Sequence, residues 1–125
     1  MFISPHDPPT LVPVGGRALR YALLLALHRH RGRVRSVGEL VEDLAALGLR
    51  PRHGRPGKVV SDALRWEVAR GRAERVGPDR YRLGRLPEVT RWRARRRIEL
   101  ILAGLVDDAG FAISSEYVHD GRAAG

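Results

Sequence analysis

Hydrophobic positions recur along this chain with helical spacing in four stretches and alternate with polar ones in a fifth, and the elements of the fold follow from that pattern. From Arg17 to about His30 the residues are good helix formers, with Leu19, Leu23, Ala26 and Leu27 on one face. Tyr21, Leu24 and Leu25 make the same helix apolar almost all round, which predicts a buried central helix. Arg33-Val34-Arg35 is a short alternating piece that can pair as a strand. Ser36 then opens a second helix: Glu39 completes an S-x-x-E capping box, and Leu40, Val41, Leu44 and Leu47 keep helical spacing until Gly48.

A third helix is predicted from about Lys58 to Arg70, with Val60, Ala63, Leu64 and Val68 inward and Gly71 as its C-terminal stop. After Gly71 the period changes to two. Arg72–Val76 and Arg80–Leu83, joined by Gly77-Pro78-Asp79, read as a β-hairpin with Ala73, Val76, Tyr81 and Leu83 facing in. Pro87 starts a fourth helix expected to reach Ala109, with Gly110 ending it. Its apolar stripe is Ala94, Ile98, Ile101, Leu102 and Leu105, while Trp92, set among arginines, is read as sealing the helix onto the domain. Trp66 is likewise expected to pack inward. The first sixteen residues, with four prolines, read as an extended arm, 49–57 as a loop, and 110–125 as a flexible tail.

Composition narrows what such a unit can do. The 125 residues hold no cysteine, which excludes disulfides, a thiolate nucleophile and cysteine-ligated metals. The hydrophobic fraction of 43% suits a folded domain, and no apolar run approaches the roughly 20 residues that span a bilayer. A signal peptide is not apparent, so a cytoplasmic, nucleoid-associated location is expected. The net charge is +9, and every basic residue except Lys58 is an arginine. With an isoelectric point near 11.4, a polyanionic partner is expected. The basic residues concentrate in 17–31, in the 50–57 loop and in the 72–85 hairpin, whereas the second helix is net acidic.

Helix, short strand, helix, helix and basic hairpin is an order that resembles the winged helix-turn-helix family, of the bacterial transcription-regulator type. The resemblance runs from about Arg17 to Gly84 and is strongest over VVSDALRWEVARGRAERVGPDRYRLG, residues 59–84. It implies a mainly α fold with a small β-hairpin (α+β): an arm (1–16), a winged-helix domain (17–86), an additional C-terminal helix (87–109) and the tail. It also implies a double-stranded DNA partner, with helix 58–70 in the major groove and the 72–84 wing on the backbone. Lys58, Ser61, Asp62 and Arg65 are then the base-contact candidates. Arg50, Arg52, Arg55, Arg72, Arg75, Arg80 and Arg82 are the backbone candidates, setting affinity and register rather than sequence. Asp62 repels phosphate and is expected to orient Arg65 or to cap locally, or else to read a cytosine amine. The apolar stripe of the last helix is the expected homodimer contact.

Three functions fit these features: a sequence-specific transcriptional regulator, a non-specific architectural binder, or a winged-helix protein-interaction module. Enzymatic chemistry is not expected. His6, His28, His30, His53 and His119 lack metal-ligand spacing, no phosphate-binding or nucleophile-elbow motif occurs, and the adjacent pairs Glu42-Asp43 and Asp107-Asp108 read as exposed helix positions. No cofactor, metal or small-molecule ligand is expected.

Overall fold

The computed structural model describes residues 10–113, so what the sequence predicts for 1–9 and 114–125 lies outside the described residues. Within them the chain runs β1 (Val12–Val14), α1 (Gly16–Arg29), β2 (Arg35–Ser36), α2 (Val37–Ala46), β3 (Leu49–Pro51), α3 (Pro56–Ala69), β4 (Ala73–Gly77), β5 (Arg80–Leu83) and α4 (Glu88–Leu102). This is an α+β fold of four helices with a small antiparallel sheet.

As its all-round hydrophobicity predicts, α1 is the spine, with Leu19, Leu23, Leu24 and Leu27 essentially sealed from solvent and α2, α3 and α4 packed around it. Each buried leucine contributes roughly 1.5–3 kcal/mol by leaving water. Ser36 and Glu39 form the expected capping box: the Glu39 amide donates to Ser36 Oγ (3.0 Å), and the Ser36 amide donates to Glu39 Oε1 (2.8 Å). Two orphan amides of the first turn are thereby satisfied. Arg35 is locked by two hydrogen bonds to Asp43 (3.0 and 2.8 Å), so Asp43 is half-buried structural anchorage rather than an exposed helix position.

The antiparallel sheet has the order β2-β5-β4. Arg35 pairs with Tyr81 and Ser36 with Arg80, while β4 and β5 form the predicted hairpin. Ala73 and Tyr81 face the core, but Val76 does not: the register slips between Arg75 and Gly77, and this irregularity leaves Val76 40% exposed. At the hairpin base, the Gly84 amide donates to the Arg72 carbonyl, and a side chain at Gly84 would collide with the carbonyl oxygen of Gly71.

Three expectations are corrected. Residues 12–14 of the arm and 49–51 of the loop form a parallel two-stranded ladder, with Val14 and Leu49 fully buried, so neither segment is loose. The last helix ends at Leu102, not near Ala109, because Gly104 takes φ +76° and a turn follows. In that turn Asp107 accepts hydrogen bonds from the amides of Ala109 (3.0 Å) and Phe111 (2.9 Å), and Val106 bridges to Ala112; residues 110–113 therefore belong to an ordered turn. Asp108 is also tied in, accepting from the Gly15 amide (2.9 Å) at the start of α1 and pairing with Arg52.

The third correction concerns the stripe on α4. Ala94, Ile98 and Ile101 are buried against the protein's own α1, so they cannot meet a second copy while that packing holds. Periodicity identifies an apolar face but not whether its cover is intramolecular. Leu102 and Leu105, at 44% and 57% exposed, are the only two of the five expected contact residues left on the surface.

Candidate nucleic-acid interface

One end of the molecule gathers the starts of α2 and α3 and the turn of the β4–β5 hairpin. Gly57 lies against Val37, and the Val37 amide donates to the Asp79 carbonyl at the hairpin turn (3.3 Å). The turn can close there because Asp79 adopts φ +61°, a left-handed conformation that Asp tolerates better than most residues. Pro56 stands in the first turn of α3, where its missing N–H costs nothing. The helix buries Val60, Ala63 and Leu64 and turns Lys58, Ser61, Asp62 and Arg65 outward, as the spacing predicts.

Between the outer face of α3 and the hairpin runs a groove lined by Ser61, Arg65, Val68, Arg75 and Tyr81. Arg65 from the helix and Arg75 from the strand thus face the same space. Along the helix, Lys58 Nζ donates to Asp62 Oδ2 (2.9 Å), and Arg65 approaches Asp62 Oδ1 at 3.7 Å. The hydrogen bond from the Lys58 ammonium holds the Asp62 carboxyl below the usual carboxylate range. Asp62 therefore pairs with two cations on the exposed face. Such exposed pairs are screened by solvent and weak, so either cation can be drawn off by a stronger anion.

The described residues contain no carboxylate within ion-pair distance of Arg55, Arg75 or Arg80. No family model, curated protein or solved structure matches the chain.

The other backbone candidates are not equivalent. Arg82 is paired with Glu74 (2.7 Å) on the exposed hairpin surface, and Arg50 turns onto the carbonyl of Pro51 (3.4 Å). Arg52 is held by Asp108 (2.6 Å), beside the start of α1 rather than the hairpin. Arg72 is held by the fully buried Glu67 (2.6 Å). Arg52 and Arg72 thus each pair with a carboxylate within the fold, which the spacing of arginines alone does not reveal.

Both tryptophans depart from expectation. Trp66 is 57% and Trp92 62% exposed, so neither packs into the core. Trp66 instead lies beneath the guanidinium groups of Arg20 and Arg70, 5.3 and 5.7 Å from its ring centre. Glu67, which the sequence reading passes over, was discoverable: it continues the Val60–Ala63–Leu64 stripe of α3, where a carboxylate must be buried and so must find partners. Among the described residues no cluster of three metal-ligating side chains occurs, and no helix is long and apolar enough to cross a membrane.

Proposed function

We propose that the chain is a winged helix-turn-helix protein that binds double-stranded DNA and acts as a sequence-specific transcriptional regulator. The order of the elements and the β2-β5-β4 pairing support the winged-helix reading. The observation that carries the function is the convergence of Arg65 on α3 and Arg75 on β4 around one groove, with Arg80 near the hairpin turn facing no carboxylate within ion-pair distance among the described residues. A helix of this diameter fits the major groove, and the hairpin then meets the flanking backbone. Arg65, released from Asp62, has the planar fork that matches the O6 and N7 atoms of guanine. Ser61 and Lys58 lie on the same face for neighbouring base edges, and Arg75, Arg80 and Arg55 neutralise phosphates.

Fluorescence anisotropy of a labelled random duplex, titrated in salt and then competed with genomic fragments, tests this reading. The expected result is binding that weakens steeply with salt and a small set of fragments competing at least 10³-fold better than the rest. Equal competition by every fragment makes the protein a non-specific architectural binder. Absence of binding at low salt leaves the interaction module.

A further inference from the structure

At the other end of α3, about 18 Å from Lys58 by the 1.5 Å rise per residue, lies a second basic site that DNA reading by the helix face and hairpin does not use. A cleft of about 200 Å³ opens between the first turns of α1, the C-terminal end of α3, the start of β4 and one flank of α4. Arg17, Arg20, Arg70, Arg72 and Arg93 line it, with Tyr21 and with Glu67 beneath. Five guanidinium groups from four elements thus share a small volume with a single carboxylate.

The arginines fall into two sets. Arg72 Nε sits 2.6 Å from Glu67 Oε1, and Arg20 Nε lies 3.3 Å from Glu67 Oε2, too poorly aligned for a hydrogen bond. Glu67 is sealed from solvent, so no ligand reaches it; its effect is to fix the two cations above it. Trp66 adds a second restraint, because Arg20 and Arg70 both lie over its ring. Arg17, Arg70 and Arg93 have no carboxylate within ion-pair distance among the described residues. Holding like charges together against their repulsion, with Arg20 and Arg70 already restrained, is the arrangement that binds a compact multivalent anion. A lone structural ion pair would require only Glu67 and one arginine.

We propose that this cleft is a phosphate-binding site, in which Arg17, Arg20, Arg70 and Arg93 present N–H donors to a phosphate group, Glu67 positions Arg20 from beneath and Trp66 positions Arg20 and Arg70. The group can belong to a small phosphate ester or to a nucleic-acid backbone; both offer the same oxygens. The site stands independently of the DNA reading.

Inorganic phosphate titrated into the full chain, at ionic strength held constant with chloride, tests the proposal by ¹H–¹⁵N NMR of the Trp66 indole and the Arg20 side chain. A saturable shift of both signals is expected, with affinity falling at least tenfold in the Arg17→Gln/Arg93→Gln variant. Both substituted residues are exposed, and an unchanged thermal midpoint verifies that the variant is folded. A shift that never saturates, that chloride reproduces, or that the double variant retains in full overturns the proposal. The source is read by repeating the titration in the Lys58→Ala/Arg65→Ala background. Tighter binding of a nucleoside monophosphate than of phosphate identifies a small ester, and saturable occupancy by a short duplex identifies the backbone. Duplex binding by the wild type that depends on Lys58 and Arg65 remains a separate result, so either proposal can fail alone.

Discussion

Lys58 and Arg72, near opposite ends of α3, are each bound to a carboxylate, yet the two pairs have different physics. Asp62 is exposed, and its links to Lys58 and Arg65 are solvated and replaceable. Glu67 is fully buried, and its links to Arg72 and Arg20 fix guanidinium groups that could otherwise swing freely. The first arrangement suits a surface that must rearrange on a long polyanion, where contacts are many and individually weak. The second suits a small ligand, where restraining the donors in advance lowers the entropy lost on binding. On the two proposed readings, the same residue types serve two kinds of anion recognition according to where the carboxylate lies.

The sharpest way to break this comparison is to remove the buried carboxylate. Glu67→Ala leaves Arg20 and Arg72 partly buried without a partner, and stability should fall by about 3–5 kcal/mol in urea unfolding. A loss below about 1 kcal/mol would mean that solvent already relieves those charges. Glu67→Gln keeps the volume and one acceptor oxygen, so it should cost less while still weakening phosphate binding.

Next in size is the seam that forms the cleft's α4 wall. Ile98 is 4% exposed against α1, and Ile98→Ala should cost about 2–5 kcal/mol through the cavity it leaves. The sedimentation mass of the protein should be the same before and after the change, because the side chain is spent within one chain. A halved mass would instead restore the contact between copies that the stripe suggests.

On the exposed end the expected effects are smaller and of opposite sign. Asp62→Asn removes the one carboxylate on the outer face of α3 that faces Lys58 and Arg65, and binding of a random duplex should tighten slightly. The salt dependence should steepen, since both cations become available for phosphate. Weaker binding would show that Asp62 holds Arg65 in its productive orientation, and would move the carboxylate from competitor to positioning residue.

How much of this was legible in the sequence follows the range of the interactions involved. The capping box of Ser36 and Glu39, the stop at Gly71 and the hairpin tip are fixed by neighbours a few residues away, and pattern reading finds them. The β1–β3 ladder joins segments that meet only in the folded chain, through strands of three residues, one of which contains Pro13 at its centre. Neither alone is long enough to display a period. The exposed face of α3 was legible because its polar spacing is local, whereas the arginine cleft draws on four elements. Only Glu67, a charge on an apolar stripe, marked it in one dimension.

The smallest effect probes the charge that the arginines of α4 impose on their surroundings. His28, near the end of α1, has its pKa lowered from 6.5, first by burial and then by Arg31, Arg91 and Arg95. A lowered histidine pKa means that the folded state resists protonation. The stability linked to His28 is thus complete above pH 6.5 and is lost as pH falls through the folded pKa. Arg95→Gln should raise the His28 pKa measured by NMR, and added salt should raise it in the wild type, but neither should restore it fully, because salt screens charge and does not undo burial. Full recovery to 6.5 in high salt would assign the whole shift to the arginines, Arg31 beside the end of α1 together with Arg91 and Arg95 of α4, and leave burial no part in it.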